Sequence, residues 1–203
     1  MVNPAFKTPP AVKNLIIANC LIFLATYLIP KVNTLLGTYG QLFWVGSPNF
    51  HIYQFVSYMF LHGSFSHLFF NMFALWMFGR TLEYNLGSQR FLTYYVACGV
   101  GAALVQYGVA VLLGELPMFI VGASGAVMGL LLAFGVMHPN AVIMLLIPPI
   151  PMKAKWFVII YALIELFLGW RGVGQVAHFA HVGGMLWGFL LLHYWKKRGQ
   201  IYF

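Results

Sequence analysis

Residues 91–113 read FLTYYVACGVGAALVQYGVAVLL, a stretch without one charged side chain, entered just after Arg90 and followed by Gly114 and Glu115. About 20 apolar residues in a helix rising 1.5 Å each are enough to cross the hydrocarbon core of a bilayer, so this segment predicts a transmembrane helix. The rest of the chain has the same character. Of 203 residues, 62% are hydrophobic and only 7% charged, against about a quarter in soluble domains. Mean hydropathy is +0.85. A soluble globule of this composition would lack a polar surface, which excludes a soluble enzyme, a nucleic-acid-binding module and a disordered regulator. The net charge of +8 is then the charge of loops facing anionic lipid and the cytoplasm. Cys20 and Cys98 both sit in apolar stretches and read as small packing residues, so no disulfide framework is expected.

Working outward, hydropathy places five more spans, giving an all-α, polytopic bundle of six: Leu15 to Ile29, Ser64 to Phe78, Phe91 to Leu113, Phe119 to Met137, Trp156 to Leu168 and Val176 to Trp195. Residues 1–203 form one domain with short termini, and the opening segment, with Pro4, Pro9 and Pro10, reads as a brief cytoplasmic tail without a cleaved signal. Pro30 to Gly63 is an aromatic loop with one charge, Lys31, expected to lie against or partly in the membrane. With the N-terminus inside, nine basic residues fall inside and two, Lys31 and Arg171, outside, as the positive-inside rule requires. Both termini are therefore expected in the cytoplasm, and the membrane is expected to be a bacterial plasma (inner) membrane.

In this topology the strongly polar side chains of spans two, four and six converge on the outer leaflet: His62, His67 and Asn71, then Ser124, then His178 and His181. Polar groups in hydrocarbon are costly, so their convergence marks a site. Ser124 lies in Gly122-Ala123-Ser124-Gly125; taken alone it reads as a helix-packing serine. Gly125 and Gly129 on span four, with Ala180, Gly184 and Gly188 on span six, permit close backbone approach and would carry His181 toward Ser124, a nucleophile beside a base. His67 and Asn71, four apart, share a helix face and can direct donors at one oxyanion; Asn71 reads equally as an interhelical hydrogen-bonding residue. His62 and His178 are expected to face an aqueous vestibule or bond loop carbonyls. A zinc site built from the histidines is the weaker alternative, because HExxH and Asp are absent and Glu83, Glu115 and Glu165 are poorly placed for it. No metal and no cofactor are called for.

These residues resemble the rhomboid family of intramembrane serine proteases. Gly122-Ala123-Ser124-Gly125 is similar to its GxSG, His67 to Asn71 to its HxxxN, and Ala180-His181-Val182-Gly183-Gly184 with Gly188 to its AHxxGxxxG. Three motifs in family order on spans two, four and six are a specific match, and Gly79-Arg80 to Glu83 with Gly87 resembles the family's helix-two end, where the glutamate is structural. The resemblance implies Ser124 as nucleophile, His181 as general base, and His67, Asn71 and the Ser124 backbone N–H as the oxyanion hole. Two departures stand out: the Trp-Arg pair common in the first loop is replaced near Tyr53-Gln54, and the aromatic often four residues after the nucleophile is Met128.

The implied activity is endopeptidase cleavage of transmembrane segments of single-pass membrane proteins, near the outer face, within the lipid bilayer. Substrates should carry helix-breaking residues, because a helical peptide bond is covered. The aromatic loop and span five are candidate gates. Ser124 and His181 are expected to work as a dyad without a carboxylate, leaving Glu165 as a protonated or hydrogen-bonded helix-packing residue. The alternative reading is a non-catalytic rhomboid-like binder or chaperone of membrane segments; a transporter would show internal repeats, and none is found.

Overall fold

The computed structural model describes residues 7–114, 119–144, 150–172 and 177–203; Pro4, Glu115 and Val176 fall outside them. Helices dominate. α1 (Pro10–Leu28) begins with proline in its first turn, where the missing N–H costs nothing, and α2 (Pro30–Tyr39) restarts after Ile29. A two-residue strand, β1 (Leu42–Phe43), and a short helix, α3 (Gln54–Ser57), follow. The sequence-expected loop from Pro30 to Gly63 is thus largely folded.

α4 (Phe65–Ala74) runs through a π-helical turn at Leu75–Gly79 into α5 (Arg80–Leu86). After Gly87 come α6 (Ser88–Leu113), β2 (Phe119–Ile120), α7 (Ser124–Met137), the hairpin of β3 (Val142–Met144) and β4 (Pro151–Lys153), then α8 (Ala154–Arg171) and α9 (His178–Lys197).

Helical stretches stand at each of the six expected spans, but α1 and α6 are the two described helices long and apolar enough to cross a membrane. α7 holds 14 residues, about 21 Å of helix, short of the ~30 Å hydrocarbon core. The span expected from Phe119 starts five residues later. Phe119 and Ile120 are drawn out of the helix by antiparallel pairing with Phe43 and Leu42 of the first loop.

The core forms where α6, α7 and α9 meet. Small residues set the spacing. A Cβ on Gly184 of α9 would overlap the backbone carbonyl of Gly125 on α7, and one on Gly129 would overlap the Cys98 side chain of α6. α8 packs against α7 and α9 but leaves Leu163, Ile164, Leu166 and Phe167 exposed, an apolar outward face suited to lipid.

One end of the molecule is clamped by Glu83. Its carboxylate accepts the backbone N–H groups of Ala11 (2.9 Å) and Val12 (2.8 Å) in the first turn of α1, and the Ser88 hydroxyl (2.6 Å). An acid at a helix N-terminus satisfies orphan donors and meets the positive end of the dipole. At the same end, Asn85 and His138 lie 2.7 Å apart.

Candidate active site

The opposite end gathers the polar side chains. Ser124 is the first residue of α7, and the leading N–H groups of a helix have no intrahelical acceptor, so among the described residues its amide is left as a donor beside its own hydroxyl. The turn before it is held by Gly122, whose N–H donates to the Tyr58 carbonyl (2.9 Å) and whose φ of +119° few other residues adopt. A Cβ at Gly122 would fall 2.6 Å from Cε1 and 2.7 Å from Nε2 of His67, so the glycine is also what lets this imidazole lie on the serine turn.

His67 is placed by local capping: the Ser64 side chain caps α4 by accepting the His67 N–H (3.2 Å). One turn on, buried Asn71 donates through Nδ2 to the His67 carbonyl (2.9 Å), which spends one of its two amide protons and leaves the other. His62 stands edge-on to His67, ring centroids 5.0 Å apart. Its ring nitrogens have no hydrogen-bond partner among the described residues. Burial, reinforced by the neighbouring His67, pulls the His62 imidazole down to about 4, so it is neutral at neutral pH.

Close packing of α9 on α7 sets Ala180, the residue before His181, against Gly125, the residue after Ser124: a Cβ on Gly125 would sit 3.5 Å from the Ala180 carbonyl. The structure therefore brings the Ser124 and His181 backbones to facing positions. It records no Ser124–His181 hydrogen bond among the described residues, and catalytic hydrogen bonds are often long before substrate binds.

Glu165, expected as a protonated or hydrogen-bonded helix-packing residue, is buried with the histidines: Oε2 lies 2.7 Å from His178 Nδ1, in a hydrogen bond, and 3.0 Å from His181 Nδ1, within ion-pair distance but not aligned as a hydrogen bond. A carboxylate therefore stands beside the histidine of the expected dyad, and His178, expected to face a vestibule or bond loop carbonyls, is instead buried against Glu165. The physical reason is the crossing of α8 over the start of α9, which points the one acid of α8 inward. A single carboxyl on an otherwise apolar helix was the available signal. The three ligand atoms lie within 4.8 Å of one another, so this group, which differs from the four histidines weighed in the sequence, could hold a divalent cation such as zinc.

The first loop is organised by a residue noted in the sequence only as a departure. Buried Gln54 accepts from the N–H groups of Phe43 (3.3 Å) and His51 (3.1 Å) and donates to the carbonyls of Tyr39 (3.1 Å) and Asn49 (2.8 Å). Tyr107 of α6 adds a bond to the Phe43 carbonyl (2.6 Å). These bonds hold β1, and through it β2 and the turn to Ser124. Met128 is half-buried against the core.

A family model for the rhomboid domain matches residues 49–198. The chain belongs to the rhomboid family. Among curated relatives, it is 33% identical over 148 residues to the zebrafish (Danio rerio) presenilin-associated rhomboid-like protein A, mitochondrial, a match covering 68% of this chain and 38% of that one. It is 32% identical over 146 residues to rhomboid protein 1, mitochondrial, of Saccharomyces cerevisiae, covering 68% and 40%. It is 33% identical over 139 residues to RHOMBOID-like protein 5 of Arabidopsis thaliana, covering 68% and 42%. The matches thus span well under half the length of these rhomboid relatives. The mitochondrial relatives overturn the expectation of a bacterial plasma membrane.

Proposed function

We propose that this rhomboid-family chain is an intramembrane serine endopeptidase that cuts transmembrane segments of other membrane proteins near the face at which Ser124 lies. The observation that carries the reading is the start of α7: a serine with a free amide, flanked by the His67 imidazole on the Gly122 turn and by α9, packed through Gly184 onto Gly125. In this reading Ser124 Oγ attacks the scissile carbonyl carbon and its proton passes to His181. The Ser124 N–H, His67 and the spare Asn71 amide proton stabilise the oxyanion. The proton then passes to the leaving amine as the C–N bond breaks, and water completes the cycle by the same route in reverse.

The test is cleavage of a panel of single-span substrates by purified protein beside Ser124→Ala and His181→Ala. Both variants should remain folded and lose cleavage, and the double variant should be no slower than either single one. A folded wild-type protein that binds these segments without cutting any of them would instead support the non-catalytic binder.

A further inference from the structure

We propose that Glu165 is the positioning residue for His181, its Oε2 bridging the Nδ1 atoms of His178 and His181 so that His181 presents Nε2 to Ser124. The inference rests on the protease reading and adds to it a third residue on α8.

Three observations support it. First, the carboxyl is in an expensive place. α8 turns apolar side chains outward on both sides of position 165, while Glu165 itself is 4% exposed, with the Tyr161 hydroxyl beside it. A buried carboxylate persists where its oxygens are held by donors, and here the donors are imidazoles. Second, one oxygen serves both rings, at 2.7 Å and 3.0 Å, although α9 separates the two histidines by nearly a full turn and their ring planes stand 85° apart. A carboxylate needed only to anchor α8 would be satisfied by His178.

Third, the contact falls on the ring nitrogen that matters. A carboxylate accepts from Nδ1–H, which fixes that tautomer and leaves the lone pair on Nε2. When the Ser124 hydroxyl proton moves to Nε2 as Oγ bonds to the carbonyl carbon, both ring nitrogens carry protons. The Glu165 carboxyl faces the charge that forms; the Nε2 proton then leaves with the amine. His178 holds the carboxylate from the other side. His181 approaches off-line at 3.0 Å, and catalytic hydrogen bonds of this kind often align only when substrate fills a site.

The experiment compares wild type, Glu165→Gln and Glu165→Asp in detergent with one transmembrane substrate, reading kcat, KM and thermal midpoint, with Ser124→Ala as reference. Glu165→Gln keeps the volume and loses the charge. It should lower kcat roughly 10- to 100-fold, the range of a charge-assisted hydrogen bond, with KM and the midpoint nearly unchanged. Glu165→Asp should recover part of kcat. Wild-type kcat in a folded Glu165→Gln protein, or a loss confined to KM and the midpoint, would overturn the proposal while leaving Ser124 chemistry intact. Wild-type turnover in Ser124→Ala would instead remove the protease reading beneath it. A measurement independent of any variant's folding is 15N NMR of histidine-labelled wild type: neutral His181 should carry its proton on Nδ1, and an Nε2–H tautomer contradicts the assignment.

Discussion

Two glutamates are buried at opposite ends of this molecule, and their partners differ in kind. Glu83, 2% exposed, is held by two backbone N–H groups and a serine hydroxyl, donors that neither titrate at neutral pH nor move without unwinding α1. Glu165, 4% exposed, is hydrogen-bonded to the His178 imidazole, with the His181 imidazole at 3.0 Å and the Tyr161 hydroxyl beside it. Equal burial of the same side chain therefore says little about role. Backbone donors make Glu83 a clamp between α1 and the α5–α6 junction, whereas imidazole donors couple Glu165 to groups that can gain and lose protons. One end is held by donors that cannot titrate, the other faces groups that can.

The division is sharpest if each end can be damaged without the other. Glu83→Ala strands two buried backbone donors, each worth about 1–3 kcal/mol, so a stability loss of about 2–6 kcal/mol is expected by denaturation in detergent. Turnover per folded molecule should stay at the wild-type level. A variant as stable as wild type, or one folded but inactive, would erase the contrast. Asn71→Ala is the converse case. Removing one oxyanion donor should cost roughly 10²–10³ in kcat, while stability changes by less than about 1 kcal/mol, because the lost bond runs to a carbonyl of its own helix. A large thermal shift with normal turnover would move Asn71 to the structural side.

Gly184→Val tests the seam that joins the two. The added side chain meets the Gly125 backbone, so α9 must shift. A displacement near 1 Å can cost about a hundredfold in rate, alongside ~1–3 kcal/mol of overpacking. Unchanged rate and stability together would contradict the close packing on which the facing of Ser124 and His181 depends.

Much of this was legible in the chain. Hydropathy located the helical stretches, and the four-residue spacings of His67 with Asn71 and of the span-six glycines placed polar and small residues on the faces they occupy. What escaped was tertiary. Nothing local marks Phe119 and Ile120 as strand, since their partners lie more than seventy residues earlier. Gln54 looked like a missing motif until its four bonds showed it knitting the first loop. The partners of Glu165 were not legible, because the direction of one side chain on α8 is fixed by how α8 crosses α9, a geometry that spacing along either helix does not encode. Membrane and compartment followed the same rule: apolarity spoke for a bilayer, while the positive-inside pattern could not say which one, and the relatives corrected it.

In the proposed protease, Ser124 at the start of α7 is an activated nucleophile. The most direct measurement is peptide-mapping mass spectrometry of the purified protein after reaction with a fluorophosphonate, run beside His181→Ala. The predicted result is one adduct, on Ser124, formed much more slowly in the His181→Ala protein. An adduct on another residue, or cleavage that persists in a protein left unlabelled at Ser124, would contradict it.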